Sequence, residues 1–227
     1  RQRQMCIRDS SYTICKYDKM ICLLEAHMVN TLKLPVGIDS FEKIRRNGFY
    51  YIDKTNLIEQ ILMNWGEVTL FTRPRRFGKT LNMSMLNCFF SRQYAEKGTI
   101  FEGLSIWKQE KYRRLQGTYP VIFLSFADVK QNNYQDAVQK IKNIIVDAYR
   151  QHRYLEQEEC FTQNEKQQML EITEKMSDVT AQDALKNLSS YLNLLYGKKV
   201  LIFLDEYDTP MQEAYIHGYW GEFAGFM

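Results

Sequence analysis

Hydrophobic residues recur at helical spacing in several stretches of the chain, and polar residues fill the positions between them. A short helix is predicted over residues 41–47, with Asp39 or Ser40 as its N-cap and Gly48 at its end. Asp53 is the expected cap of the next helix. The remaining amphipathic stretches, each with one apolar face, predict longer helices over residues 54–65, 81–91, 134–149 and 181–196.

Three other stretches are short, continuous and apolar, which is typical of buried strands. They lie at residues 68–72, 120–126 and 200–205. Residues 200–204 are wholly apolar, so we expect both faces of that strand to be buried. Because such strands alternate with helices along the chain, the pattern predicts an α/β fold with a parallel sheet and helix layers on both faces.

Composition narrows the class of protein only moderately. The chain has 227 residues, 45% of them hydrophobic, and a net charge of +3. That charge is too small to indicate nucleic-acid binding by itself. Five cysteines without close pairing favour free thiols in a reducing compartment. No run of about 18 apolar residues occurs, so we expect no membrane span and a cytoplasmic location.

The segment RPRRFGKT, residues 73–80, follows the first expected strand and opens a helix. Its end, Gly78-Lys79-Thr80, matches the close of a phosphate-binding Walker A loop, although Arg73 stands where the general pattern has glycine. Backbone N–H groups at such a helix start can surround a phosphate. Lys79 would reach the outer phosphates, and the Thr80 hydroxyl would coordinate Mg²⁺.

The third expected strand ends in LDE, which places a carboxylate at its C-terminal edge, where ligands bind in open α/β sheets. Asp205 would hold Mg²⁺, and Glu206 would orient or deprotonate an attacking water. The alternative is an apolar strand with an acidic turn and an unrelated helix cap. Asp208 and Thr209 follow closely, either as groups near the metal or nucleobase, or as the cap of the next helix.

Several segments together resemble the predicted AAA-ATPase-like family of bacteria and archaea, whose members look like P-loop ATPases. The resemblance rests on LPVGIDSFEKIRRNGFYYIDKT, LFTRPRRFGKTLNMSMLNCFFS, FEGLSIWK, YPVIFLSFADVK and KKVLIFLDEYDTPMQEAYIHGYW. It implies a three-layer P-loop NTPase sandwich, ATP and Mg²⁺ as cofactors, and in many members an attached PD-(D/E)xK nuclease-like domain. Nucleic acid would be bound only through such a domain.

The resemblance places the phosphate loop at residues 72–80, with arginine at 73 following this family's own pattern. Glu206 and Lys79 are the expected catalytic residues, and Thr80 and Asp205 the expected metal ligands. Arg75 and Arg76 would bind phosphates or reach the nucleotide of a neighbouring subunit in a homo-oligomer, unless they are solvated or ion-paired loop residues. Asp53 or Lys54 of YYIDKT is expected beside the nucleotide. The expected nucleotide-binding residues are Arg75, Arg76, Phe77, Gly78, Lys79, Thr80 and Leu81.

The domain organisation predicted from the sequence has two parts. Residues 1–30 show no sustained period and resemble translated adapter sequence, so we expect a natural start near Met28; a genuine tail is the alternative. Residues 31–227 form the ATPase-like domain, which we expect to be incomplete after the acidic strand. An unpaired apolar sheet edge in such a domain predicts poor solubility.

Three functional interpretations remain open at this point. The first is an ATPase that works as a nucleotide-driven switch and controls a nuclease-like domain. The second is a regulatory or protein-interaction module that binds nucleotide without hydrolysis. The third, a nucleic-acid-binding protein, is weakened by the small net charge and predicts an affinity that falls steeply with salt.

Overall fold

The computed structural model describes residues 33–72 and 77–226 of the chain. The predictions for residues 1–30 lie outside this part. None of the helices it contains is both long enough and apolar enough to cross a membrane. The α-helices are α1 Phe41–Arg46, α2 Asn56–Met63, α3 Lys79–Phe90, α4 Glu110–Arg113, α5 Tyr134–Gln151, α6 Gln163–Leu170, α7 Asp178–Tyr196, α8 Thr209–Ile216 and α9 Trp220–Phe226.

Two parallel strands form the sheet of the described part, β1 Val121–Ser125 and β2 Leu201–Asp205. Val121 lies opposite Leu201, and the register continues to Ser125 opposite Asp205. The helix-rich chain between them, which includes α5 and α7, forms the crossover that parallel pairing requires. A mixed α/β fold with a parallel sheet is therefore confirmed.

The first expected strand, residues 68–72, is not formed. Val68 and Leu70 are 90% and 62% exposed. Within the described residues, no backbone hydrogen bond joins this segment to another. A strand is stabilised by pairing and by burial of its side chains; pairing is absent here, and Phe71 alone of the apolar side chains packs against the first cluster. The described sheet is consequently smaller than the three-stranded sheet expected from the sequence.

Local capping signals specify several helix ends as the sequence indicated. The Ser40 hydroxyl accepts from the Lys43 N–H at 3.3 Å at the start of α1. Gly197 ends α7 with φ 61°, in the left-handed region where glycine carries no penalty. Asp53, in contrast, is not the cap of α2: Thr55 occupies that position, and α2 ends at Met63, before Trp65.

Apolar clusters cover both faces of β1. The first contains Val121 with α3 and the chain on either side of that helix, including the fully buried Phe41, Phe89 and Phe101. The second contains Ile122 and Leu124, which pack with α5, α7, α8 and α9. Helices therefore lie on both sides of the sheet, and α3 runs against its first face.

The expectation that both faces of the last strand are buried is wrong. Leu201 and Phe203 of β2 pack against the first cluster. Ile202 and Leu204 point to the other face and are 44% and 43% exposed. The second cluster packs over β1, and no described element covers β2 there to the same extent. An apolar stretch in the sequence alone does not show whether helices cover both faces of the strand that it forms.

Candidate nucleotide site

The start of α3 is the structural centre of the site. Gly78 is its N-cap, with φ 74°, and its carbonyl accepts the first helical hydrogen bond from the Asn82 N–H at 2.9 Å. The N–H groups of the first helical turn have no acceptor within the helix. Together with the helix dipole, they make this end attractive to an anion. The preceding Phe77 is 62% exposed.

Of the nucleotide-binding residues expected from the sequence, Arg75 and Arg76 lie outside the described residues, as does Arg73. Lys79 and Thr80 begin α3 and are half-buried. Leu81 packs its side chain against the first apolar cluster, which leaves its backbone N–H as the group available to a ligand. A cavity of about 40 Å³ beside Lys79 is large enough for water but not for a nucleobase.

Asp205 ends β2 and is only 5% exposed. Burial raises the pKa of its carboxyl, while the nearby Thr80 hydroxyl opposes that shift. The charge of Glu206 raises the pKa of Asp205 further, and the charge of Lys79 lowers it. The fold has therefore brought Asp205 to the adjacent residues Lys79 and Thr80, which lie far from it in the sequence.

Glu206 has a left-handed backbone with φ 50°, the one non-glycine residue with positive φ among the described positions. This conformation costs a side-chain-bearing residue about 1 kcal/mol and is found preferentially at functional sites. The Thr209 hydroxyl donates to the Glu206 carboxylate at 3.3 Å. Asp208 is at the N-cap position of α8, but its carboxylate accepts from the side chain of Gln212 at 2.7 Å.

The segment before α2 approaches the same site. Asp53 accepts hydrogen bonds from the Ser105 N–H and hydroxyl at 2.7 and 2.6 Å, and from the Thr55 N–H and hydroxyl at 2.9 and 2.6 Å. Partial burial acts to raise its pKa, but these bonds together outweigh that effect and lower the pKa of Asp53 to about 2. Its neighbour Lys54 extends to Gly78: its Nζ would lie 4.0 Å from a Cβ built there.

The side chains at this site suit a magnesium ion held together with a nucleotide. No group of three or more His, Cys, Asp and Glu side chains that could hold a metal occurs within residues 33–72 and 77–226. Magnesium bound to a nucleotide needs only one or two protein ligands, because phosphates and waters supply the rest. The Thr80 hydroxyl and the Asp205 carboxylate are hard oxygen donors of the required kind.

A glycine-capped helix start beside a strand-terminal aspartate, on a parallel α/β fold, is typical of the nucleotide-binding α/β class. The comparison with protein families agrees with this assignment. A family model described as Predicted AAA-ATPase matches residues 35–227, and the chain therefore belongs to the AAA-ATPase-like family. The resemblance seen in the sequence is thus confirmed.

Among curated proteins, the chain is similar to an "Uncharacterized protein in vnfD 5'region" of Azotobacter chroococcum mcd 1. The two are 28% identical over 180 residues, which is 79% of this chain and 30% of the relative. The chain thus spans less than a third of that relative's length. No solved structure matches the chain.

Sequence reasoning missed the residues that hold the Asp53 segment in place. Ser105 lies 52 positions from Asp53, and the Ile106 N–H donates to the Thr55 hydroxyl at 3.2 Å across 51 positions. No local signal identifies such partners, because neither position has special spacing or composition. The sequence contained one weak signal for part of this arrangement. An aspartate side chain commonly accepts a hydrogen bond from the backbone two residues later, and Thr55 is two residues after Asp53.

Proposed function

We propose that the protein binds ATP with Mg²⁺ at the start of α3 and hydrolyses it. The observation that carries this proposal is that Thr80, at the start of α3, lies close enough to Asp205, at the end of β2, to lower the pKa of its carboxyl. A coincidental GKT triplet has no reason to lie against the acidic end of a distant strand. Membership of the AAA-ATPase-like family supports a nucleotide as the ligand.

In the proposed mechanism, each residue has a distinct task. The N–H groups of the first turn of α3 and the Lys79 ammonium bind the β- and γ-phosphates and stabilise the charge that develops on them. Thr80 and Asp205 would hold the magnesium ion, which would supply positive charge to neutralise part of the phosphate charge. Glu206 orients a water for attack on the γ-phosphate and accepts its proton.

The test compares the wild-type protein with Lys79→Ala and Glu206→Gln, measuring ATP binding by calorimetry and phosphate release in parallel. We expect Lys79→Ala to lose binding and Glu206→Gln to keep binding but lose turnover. Asp183→Asn, on the exposed side of α7, is the control and should match the wild type in both assays. Failure of the wild type to bind ATP would refute the proposal.

A module that binds nucleotide without hydrolysis is the second candidate, favoured by the position of Glu206. Its carboxylate is engaged by Thr209, and its backbone is held in a left-handed conformation. If Glu206 stays in this position when ATP is bound, no carboxylate activates the water. Binding without phosphate release in the wild type, unchanged by Glu206→Gln, would establish this candidate.

We also propose that nucleotide occupancy works as a switch on further parts of the longer family proteins, including a nuclease-like domain where one is attached. This step rests on analogy within the family. The experiment is a DNA-cleavage assay of a whole family protein with ATP, with ADP and without nucleotide. Cleavage rates that do not depend on the nucleotide would contradict the switch. A homo-oligomer in which Arg75 and Arg76 reach the nucleotide of a neighbouring subunit remains a prediction, as does a cytoplasmic location.

A further inference from the structure

Lys54 is a second lysine at the start of α3, contributed by a different segment of the chain. Its Nζ would lie 4.0 Å from a Cβ at Gly78, the residue directly before Lys79. Gly78 caps the helix end at which an anion is expected. The ammonium of Lys54 is therefore next to the proposed phosphate site, although Lys54 precedes the phosphate loop in the sequence.

The backbone of Lys54 is fixed on both sides. Before it, the Asp53 carboxylate accepts four hydrogen bonds, two from Ser105 and two from Thr55. After it, Thr55 is fully buried, and its hydroxyl also accepts from the Ile106 N–H. The C=O of Lys54 accepts from the Leu57 N–H at 3.0 Å. The side chain of Lys54 therefore extends from a fixed point of the backbone.

The neighbouring carboxylate does not neutralise Lys54. Asp53 is directed to Ser105 and Thr55, and Lys54 takes part in none of the ion pairs among residues 33–72 and 77–226. Lys54 and Lys79 thus both lie near the positive end of the α3 dipole. Like charges at that end raise the free energy of the empty site, and a bound anion reverses the effect.

We propose that Lys54 is a second cationic contact for the phosphates of the nucleotide, held over the start of α3 by the hydrogen bonds of Asp53. This inference rests on the proposed function and adds a residue to it. Lys79 would contact the phosphates from the first turn of α3, and Lys54 would contact them from the segment before α2. Two ammonium groups on different segments would enclose the charged end of the ligand.

The experiment measures the dissociation constant of Mg–ATP by calorimetry for the wild type, Lys54→Met and Lys54→Arg. Methionine keeps most of the aliphatic chain and removes the charge. We expect Lys54→Met to bind about tenfold more weakly, the typical loss for one charge-assisted hydrogen bond, and Lys54→Arg to bind within about threefold of the wild type. Lys140→Met, an exposed lysine of α5, is the matched control and should have no effect.

Thermal melting without nucleotide separates a structural role from a binding role. Removing one of two like charges should leave the melting temperature of Lys54→Met unchanged or slightly raised, in contrast to its weaker ATP binding. Wild-type affinity in Lys54→Met overturns the inference and leaves the proposed function intact. Weak binding in both Lys54→Met and Lys54→Arg, with lower melting temperatures in both, also overturns it. A wild type without ATP affinity overturns the proposed function, and the inference with it.

Discussion

Replacing Asp205 with asparagine should stabilise the empty protein and weaken its response to magnesium nucleotide. The Asp205 carboxylate is 5% exposed, and burial raises its pKa. At neutral pH the native fold therefore holds a negative charge at an unfavourable site. Asparagine has nearly the same shape, carries no charge and retains an oxygen that can accept from Thr80. Changes of this kind commonly stabilise a protein by about 0.5–2 kcal/mol.

For a chain of this length, each 1 kcal/mol shifts the melting temperature by about 2–4 °C, so Asp205→Asn should melt a few degrees higher without ligand. The size of this stability difference depends on pH. A carboxyl whose pKa is raised in the folded state binds a proton more tightly there than in the unfolded chain. The wild type therefore recovers stability as pH falls through that raised pKa, where Asp205 becomes neutral. The advantage of Asp205→Asn should therefore narrow in acid.

The ligand offsets the advantage of Asp205→Asn, because it stabilises the wild type more. At a Mg–ATP concentration 100 times the wild-type dissociation constant, the wild type should gain about 2.7 kcal/mol. A tenfold weaker variant at the same concentration gains about 1.4 kcal/mol. Differential scanning fluorimetry with and without Mg–ATP measures both effects in one experiment. Asp183→Asn serves as the exposed control. A lower melting temperature in apo Asp205→Asn, with an undiminished Mg–ATP shift, would refute the reasoning.

Three other substitutions test separate parts of the structure. Gly117→Ala should destabilise by at least about 2 kcal/mol in urea unfolding, because Gly117 has φ 67° and the new Cβ would overlap Ala95, 2.8 Å from its nitrogen. Asp53→Asn should flatten the acid dependence of the unfolding free energy. The lowered pKa of Asp53 adds stability above about pH 4 that is lost as pH falls towards 2, and its exposure limits this to about 1 kcal/mol. Glu206→Gln should lower single-turnover phosphate release about 100-fold or more.

A specific result would contradict each of these expectations. A Gly117→Ala protein as stable as the wild type would show that the close approach to Ala95 is wrong. Parallel acid-unfolding curves for Asp53→Asn and the wild type would show that its hydrogen bonds do not lower its pKa. Unchanged phosphate release in Glu206→Gln would assign water activation to another group.

The sequence predicted those parts of the fold that depend on local periodicity. Helices α5 and α7 have long amphipathic patterns with capping residues, and both strands of the sheet end within one or two residues of the expected bounds. These features follow from residue spacing, which needs no knowledge of the partner. The motif residues Thr80 and Asp205 were predicted together because a phosphate loop and an acidic strand end belong to one kind of nucleotide site, although the strand expected before the loop is not formed.

The features that could not be predicted are non-local. Residues 68–72 are apolar enough for a strand, yet Val68 and Leu70 are exposed and the segment has no pairing partner in the described part of the chain. Asp53 resembled a helix cap, but a residue 52 positions away supplies two of its hydrogen-bond donors. The approach of Lys54 to Gly78 likewise depends on how two segments pack, and periodicity contains no information about that.

Calorimetric titration of the protein with Mg–ATP, for the wild type and Lys79→Ala, tests the central claim most directly. Lys79 is the first residue of α3, beside both Gly78 and Thr80. If this helix start holds the phosphates, the wild type binds with one site per chain, and Lys79→Ala shows at least a 100-fold loss of affinity with an unchanged melting temperature. Equal affinity in the two proteins, or no binding by the wild type, would contradict the claim.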